Sequence, residues 1–312
     1  MAKSAAVVQQ EAELRKQVFF DPTYDPVFKK IFEKSSTLIH FLNAILHFDK
    51  EHAISRIVPL KRSVKLMNSG KNSESIRFDI HARTADGRFI DVEMQRAVQS
   101  DFLDRIDLYS SLLAINAKMT MNSEISKENL ETRPYLMPTV YSVWICNFPV
   151  RACKHYREEL GLFRFSDLGD EKALPIYEKR KYIIVDITKF TPGKGNALEQ
   201  QWLELFKLIS SAKAVPANVD DVLKDVYNRL LVSKSSKKFI EKVAREMVDK
   251  REFNACMSYA RNEGLTQGLM EGESIGAANE RAKNEALNNR RVDFLRKNNV
   301  SEELISAMLA IK

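Results

Sequence analysis

The chain has 312 residues, of which 44% are hydrophobic and 29% charged, with 10 Gly and 9 Pro. Those fractions describe an ordinary globular protein and exclude a collagenous or wholly disordered chain. The 49 Lys plus Arg exceed the 42 Asp plus Glu by seven; nine basic and nine acidic side chains cancel in residues 251–312, so the whole excess lies in residues 1–250.

The first 17 residues read as a solvated helix or tail and lack the apolar stretch of a secretion signal, so a cytoplasmic protein is expected. No window approaches the run of about 18 apolar residues that a membrane span needs. Pro22 and Pro26 punctuate residues 21–32, DPTYDPVFKKIF, and suit a turn and the first position of a helix. Ser35 and Ser36 are candidate N-caps for an amphipathic helix carrying Leu38, Phe41, Leu42, Ile45 and Leu46, which ends near His47. Residues 54–60 read as a short strand and residues 65–75 as a polar loop.

Two alternating segments follow, Ile76–Ala82 and Arg88–Met94, joined by a loop with Asp86-Gly87, and predict a β-hairpin. Asp101–Lys118 returns to helical spacing, with Phe102, Ile106, Tyr109 and Leu113 on one stripe. Thr139–Phe148 and Tyr182–Ile187 are apolar, β-branched and aromatic, as buried strands are. Ala197–Ser210 reads as a helix, and from about Pro216 onward only helical, charge-rich sequence remains. The alternation of helices and strands predicts an α/β fold with a mixed sheet. Three cysteines, Cys146, Cys153 and Cys256, have neither even number nor metal-type spacing, and the histidines form no ligand set. Cys146, on an apolar strand, reads as core.

The hairpin register brings chemistry together. A three-residue loop, Ala85-Asp86-Gly87, sets Thr84 opposite Arg88 and Asp79 opposite Glu93, with Gly87 in the left-handed conformation. Alternation then predicts Phe78, Ile80, Val92 and Met94 on the core face and Asp79, Glu93 and Gln95 on the other. Asp91 shares that second face but is expected to be solvated, and His81 to be superficial or structural. Carboxylates directly opposite each other have Cβ atoms about 4.5–5.5 Å apart and repel unless a cation lies between them. A hard divalent ion that keeps water and phosphate oxygens as its other ligands suits such a pair. The alternative is a solvated outer face with no chemistry.

In chain order, Asp25-x-x-Phe28-Lys29-x-x-Phe32, the helix with Phe41-Leu42-Asn43-Ala44-Ile45-Leu46, Asp79, Glu93-Met94-Gln95, and then Phe102, Arg105, Tyr109 and Ser110 resemble the PD-(D/E)XK nuclease family transposases. The resemblance spans roughly residues 20–285. It implies a restriction-endonuclease-like αβββαβ core, DNA as partner, Mg2+ or Mn2+ as cofactor, endonuclease activity and a role in recombination. It makes Asp79 and Glu93 the metal ligands and puts Gln95 at the position where the wider superfamily carries a lysine. A glutamine supplies a hydrogen bond but no charge, which leaves a catalytically degenerate binding module as the alternative and makes Lys29 a candidate source of positive charge. Asp25 and Lys29, one helical turn apart, face the site or else form a cap and a solvated lysine. Arg105 is a candidate phosphate contact, and Tyr109 supports it or packs in the core.

The expected domains are a tail or helix at 1–19, a nuclease-like domain at 20–215 and a helical region at 216–312. In that last region Gly264, Gly268, Gly272 and Gly276 recur every four residues. On a continuous helix they form a stripe that allows close approach, for example between two copies of the chain; the alternative is a flexible, partly helical tail.

Overall fold

The computed structural model describes residues 4–65, 75–167, 169–170, 173–193 and 197–310. The predicted polar loop at 65–75 therefore lies almost wholly outside the described residues. Two compact units divide the chain, residues 1–256 and 257–312.

The first unit opens with α1 (Ala5–Leu14), whose Ser4 side chain caps the helix and whose Val7 and Leu14 are buried. α2 (Asp25–Ile31) has Pro in its first turn, as expected, and α3 (Ser35–Leu46) ends at His47 in the left-handed region, φ 52°. Lys34 rather than a serine occupies the N-cap position of α3, and no side chain caps it. The strands are β1 (Ile57–Pro59), β2 (Ser63–Lys65), β3 (Ser75–Arg77), β4 (Ile80–Thr84) and β5 (Phe89–Gln95). After them come α4 (Phe102–Glu124), α5 (Lys127–Thr132), β6 (Val140–Cys146), β7 (Arg157–Leu162), β8 (Tyr177–Asp186) and α6 (Ala197–Leu208). α7 (Asp221–Arg229) and α8 (Lys237–Met247) close the unit.

Among the described residues the strands form a six-stranded sheet, ordered β1-β4-β5-β6-β8-β7, and a two-stranded ribbon, β2-β3. β5, β6 and β8 run parallel, and β1, β4 and β7 are antiparallel to their neighbours. The succession α3-β1-β4-β5-α4-β6 is the expected αβββαβ order, and the fold is the restriction-endonuclease-like α/β type. The apolar stripes of α2, α3 and α6 pack on one face of the sheet with Val92, Met94, Val143, Ile145, Ile183 and Val185. α4 covers the other face, where Phe102 and Ile106 meet Trp144 and Cys146.

Four expectations need correction. Phe78 does not join Ile80, Val92 and Met94; it packs under α4 with Phe89, Leu113 and Val140, because the strand breaks between β3 and β4. Asp91 is not solvated but fully buried beneath α4. The unpredicted β7 pairs with β8 as an edge strand whose side chains are largely exposed. The unit also continues past 215: Leu223, Val226 and Tyr227 of α7, and Ile240, Val243 and Ala244 of α8, belong to the same core as α3 and α6, as do Val7 and Leu14 of α1.

The second unit holds most of α9 (Lys250–Lys297) and all of α10 (Glu302–Ala310). α9 is continuous through the four glycines, and a Cβ added at any of them would meet nothing within 4 Å. Arg296 pairs with Glu302 across the turn, 2.7 Å.

Candidate functional site

The β4–β5 hairpin has the predicted register. Ile80 pairs with Val92, His81 with Asp91, Ala82 with Ile90 and Arg83 with Phe89. The Thr84 N–H donates to the Arg88 carbonyl, the Gly87 N–H to the Thr84 carbonyl, and Gly87 has φ 86°. The same register, carried one residue beyond β4, sets Asp79 opposite Glu93.

There the ladder is interrupted in a way that shapes the site. Continued further, it would aim the Met94 N–H at the carbonyl of Phe78. Phe78 instead turns away and donates its own N–H to the Arg62 carbonyl, 2.8 Å. The Asp79 carboxylate takes the vacated place, its Oδ2 accepting from the Met94 N–H at 3.1 Å. In the reverse direction, the Asp79 N–H donates to Glu93 Oε1 at 2.9 Å. Backbone and side chain thus lock the two carboxylates to each other.

α2 presents Lys29 to this pair. Its ammonium forms an ion pair with Asp25 and lies 3.2 Å from Asp79 Oδ1. Asp25, Lys29, Asp79, Gln95 and Arg105 line one cleft of about 370 Å³ with Thr23, Arg77, Met94, Arg96, Gln99, Glu246 and Asp249. Arg105 donates from Nη1 to Gln99 Oε1 and from Nη2 to the Tyr109 hydroxyl, both at 3.2 Å. The Tyr109 ring packs edge-on to Phe78 and Trp144, so the half-buried Tyr109 leans on the core and steadies Arg105.

The electrostatics are dominated by the burial of the carboxylates. Burial pushes the Glu93 carboxyl well up, and the charges of Asp79 and Asp91 push it further. Burial also raises Asp79, although Lys29 and the Met94 N–H pull it back. Asp91 is pushed up to about 8, chiefly by burial, despite hydrogen bonds with Glu93 and Ser142. Burial would raise Asp25 too, but the hydrogen bond and charge of Lys29 outweigh it and hold that carboxyl below its usual value.

Among the described residues no three of His, Cys, Asp and Glu form a ready-made metal cage. The pair that is present suits a hard divalent ion, which needs only one or two carboxylates and takes water or phosphate oxygen elsewhere. Two mutually repelling carboxylates, Glu93 buried and Asp79 half-buried, are also what such an ion would neutralise. The donors therefore fit the ion, at Asp79 and Glu93.

The model of the PD-(D/E)XK nuclease family transposases matches residues 22–260, most of the chain. The chain belongs to that family. Neither the curated proteins nor the solved structures contain a match. PD-(D/E)XK nucleases generally use divalent metal ions, and the family implies a nuclease with DNA as substrate. The match ends close to the end of the first unit, which encloses the whole cleft.

Sequence reading missed several residues that line this cleft. Arg96, next to Gln95, stacks on the Tyr24 ring at 3.6 Å, and its place beside the motif was a usable signal. Arg77 at the end of β3, and Glu246 and Asp249 around the end of α8, reach the cleft only through tertiary folding. His81 is structural: its Nδ1 lies 2.8 Å from the Lys61 carbonyl and its ring packs on Phe78. Cys146 is core, as expected, its thiol pushed well up by burial. Among the described residues no helix is long and apolar enough to cross a membrane.

Proposed function

We propose that this protein is a DNA endonuclease that hydrolyses phosphodiester bonds with Mg2+ or Mn2+ and serves DNA recombination. The observation that carries this reading is the juxtaposition of Asp79 and Glu93, opposed in register and hydrogen-bonded, with Asp79 lining a cleft walled by Lys29, Arg77, Arg96 and Arg105 and Glu93 buried directly behind it. A divalent ion bound there would supply Lewis acidity and a water acidified toward hydroxide. The protein's own groups do the positioning. The Met94 N–H and Lys29 fix the two oxygens of Asp79, and the Asp79 N–H fixes Glu93. Gln95 offers an amide to orient water or phosphate. It carries no charge, and Lys29, the cation beside Asp79, takes over the electrostatic role that a lysine at position 95 would have. The excess basic charge of residues 1–250 favours a polyanionic substrate.

The test is nicking of supercoiled plasmid with Mg2+. Wild type is expected to nick, and Asp79→Asn and Glu93→Gln are expected to lose at least about a hundredfold in rate, as when a charge-stabilising group is removed from an active site. Equal nicking by wild type and variants removes the assignment. A second reading, a degenerate nuclease fold that binds without cleaving, is favoured by Lys29 already neutralising Asp79. Calorimetric titration of Mg2+ separates the two: heat that vanishes in Asp79→Asn supports the nuclease, and no heat in wild type supports the degenerate fold.

A further inference from the structure

A second cavity, of about 320 Å³, adjoins the cleft and shares Asp79 and Lys29 with it. Phe32, Pro59, Arg62 and His81 are among its other walls. Asp79 and Lys29 therefore form a saddle between two hollows rather than the end of one.

The β2–β3 ribbon places one arginine in each hollow. Ser63 pairs with Arg77, and the Phe78 N–H binds the Arg62 carbonyl, so Arg62 and Arg77 stand on opposite strands at the ribbon's base. Arg77 lines the first cavity and Arg62 the second. Arg62 Nη1 reaches the Asp79 carbonyl at 3.4 Å, which ties its position to that of the carboxylate pair. Among the described residues neither arginine has an ion pair, although Arg77 acts through its charge on Asp25. Both are exposed. Two exposed cations that form no ion pair among the described residues, held by one backbone element on either side of the proposed phosphodiester-cleaving centre, match the spacing problem of a substrate strand: the bond to be cut needs its neighbouring phosphates held.

We propose that the base of the β2–β3 ribbon is a phosphate clamp. It rests on the nuclease reading. One DNA strand crosses the Asp79–Lys29 saddle with its backbone in both hollows, Arg77 holding a phosphate on one side of the scissile bond and Arg62 a phosphate on the other. Contacts of this kind fix register and carry no sequence information.

The experiment measures anisotropy of a fluorescein-labelled mixed-sequence DNA oligonucleotide with the full chain in EDTA, across a salt series. The Arg62→Gln/Arg77→Gln double variant is expected to bind about tenfold more weakly, with the salt slope reduced by about two. The matching double Lys variant, which keeps the charges, is expected to recover most of both. Lys234→Gln, at an exposed turn where the lysine bonds Asn228 and lines neither hollow, is the control expected to match wild type. Unchanged affinity and slope in the Gln pair overturn the clamp, and so does a wild type that binds no DNA. If the clamp variants lose binding as expected but wild type nicks nothing with Mg2+ or Mn2+, the nuclease reading falls and with it the scissile bond, and the two arginines stand only as phosphate contacts of a non-cleaving fold. If wild type nicks and the Gln pair binds as tightly as wild type, the clamp falls and the nuclease stands.

Discussion

Asp91 lies one pleat away from Glu93 on the same face of β5, with Ser142 Oγ donating to it at 3.0 Å and α4 shutting out water. Its carboxyl is pushed up to about 8, mainly by burial and further by the charge of Asp79. An acid whose pKa is higher in the folded than in the unfolded state binds its proton more tightly when folded. The folded state is therefore favoured most at low pH, and that advantage drains as pH rises from about 4 to about 8. Glu93 is shifted the same way and adds to the trend. In EDTA, the unfolding free energy of wild type is expected to fall between pH 5 and pH 8, and Asp91→Asn is expected to flatten the fall. Urea titrations at several pH values would measure it, and parallel curves for the two proteins would refute this linkage. The same residue shows where sequence reading stops. Nothing local distinguishes a carboxylate facing water from one facing a helix; the burial of Asp91 depends on α4 and on parallel pairing with β6, both remote in sequence.

At the scale of elements, the hairpin was legible because two independent constraints agreed. Alternating hydrophobicity chose the faces, and Gly87 chose the three-residue loop. Gly87 has φ 86°, a conformation that costs an L-residue roughly 1–2 kcal/mol. Gly87→Ala is expected to lose about that much stability in chemical denaturation while the register, and hence plasmid nicking, survives. A variant as stable as wild type would show that the turn relaxes without strain. Phe78 was not legible, since at the break before β4 its N–H goes to the Arg62 carbonyl, a partner sixteen residues away. β7 was missed for a different reason: its Glu158 and Glu159 and its exposed Leu160 and Leu162 give no buried face to read, and backbone pairing with β8 alone makes it a strand. The expected boundary at 215 took the end of strand signals for the end of a domain, although the apolar spacing of Leu223, Val226 and Tyr227 marked α7 as a core helix.

Over the whole molecule, the cleft depends on chain far beyond Asp79 and Glu93. α2 spans only seven residues, too few to hold a helix unaided. Arg229 takes its terminal carbonyls, donating from Nη1 to Lys30 at 2.8 Å and to Ile31 at 3.0 Å, and from Nη2 to Thr37 Oγ1 at 2.9 Å. Lys34 pairs with Asp225, and the Lys30 ammonium reaches Ser235 and sits 4.2 Å above the Phe239 ring. A chain ending after residue 215 is therefore expected to lose plasmid nicking and cooperative melting, although it retains Asp25, Lys29, Asp79, Glu93 and Gln95. A chain ending after residue 256 is expected to melt cooperatively; full nicking by the shorter form would refute this. The bond from Arg229 to Lys30 spans 199 positions, so its donor is made long after its acceptor. On the ribosome, Lys29, Asp79 and Glu93 all emerge well before Arg229 can fasten α2, so a nascent chain carries its acidic pair and its lysine without the bonds that hold them face to face. A nuclease so built is expected to gain activity only once α7 has emerged, which keeps the order of synthesis and the order of activation apart.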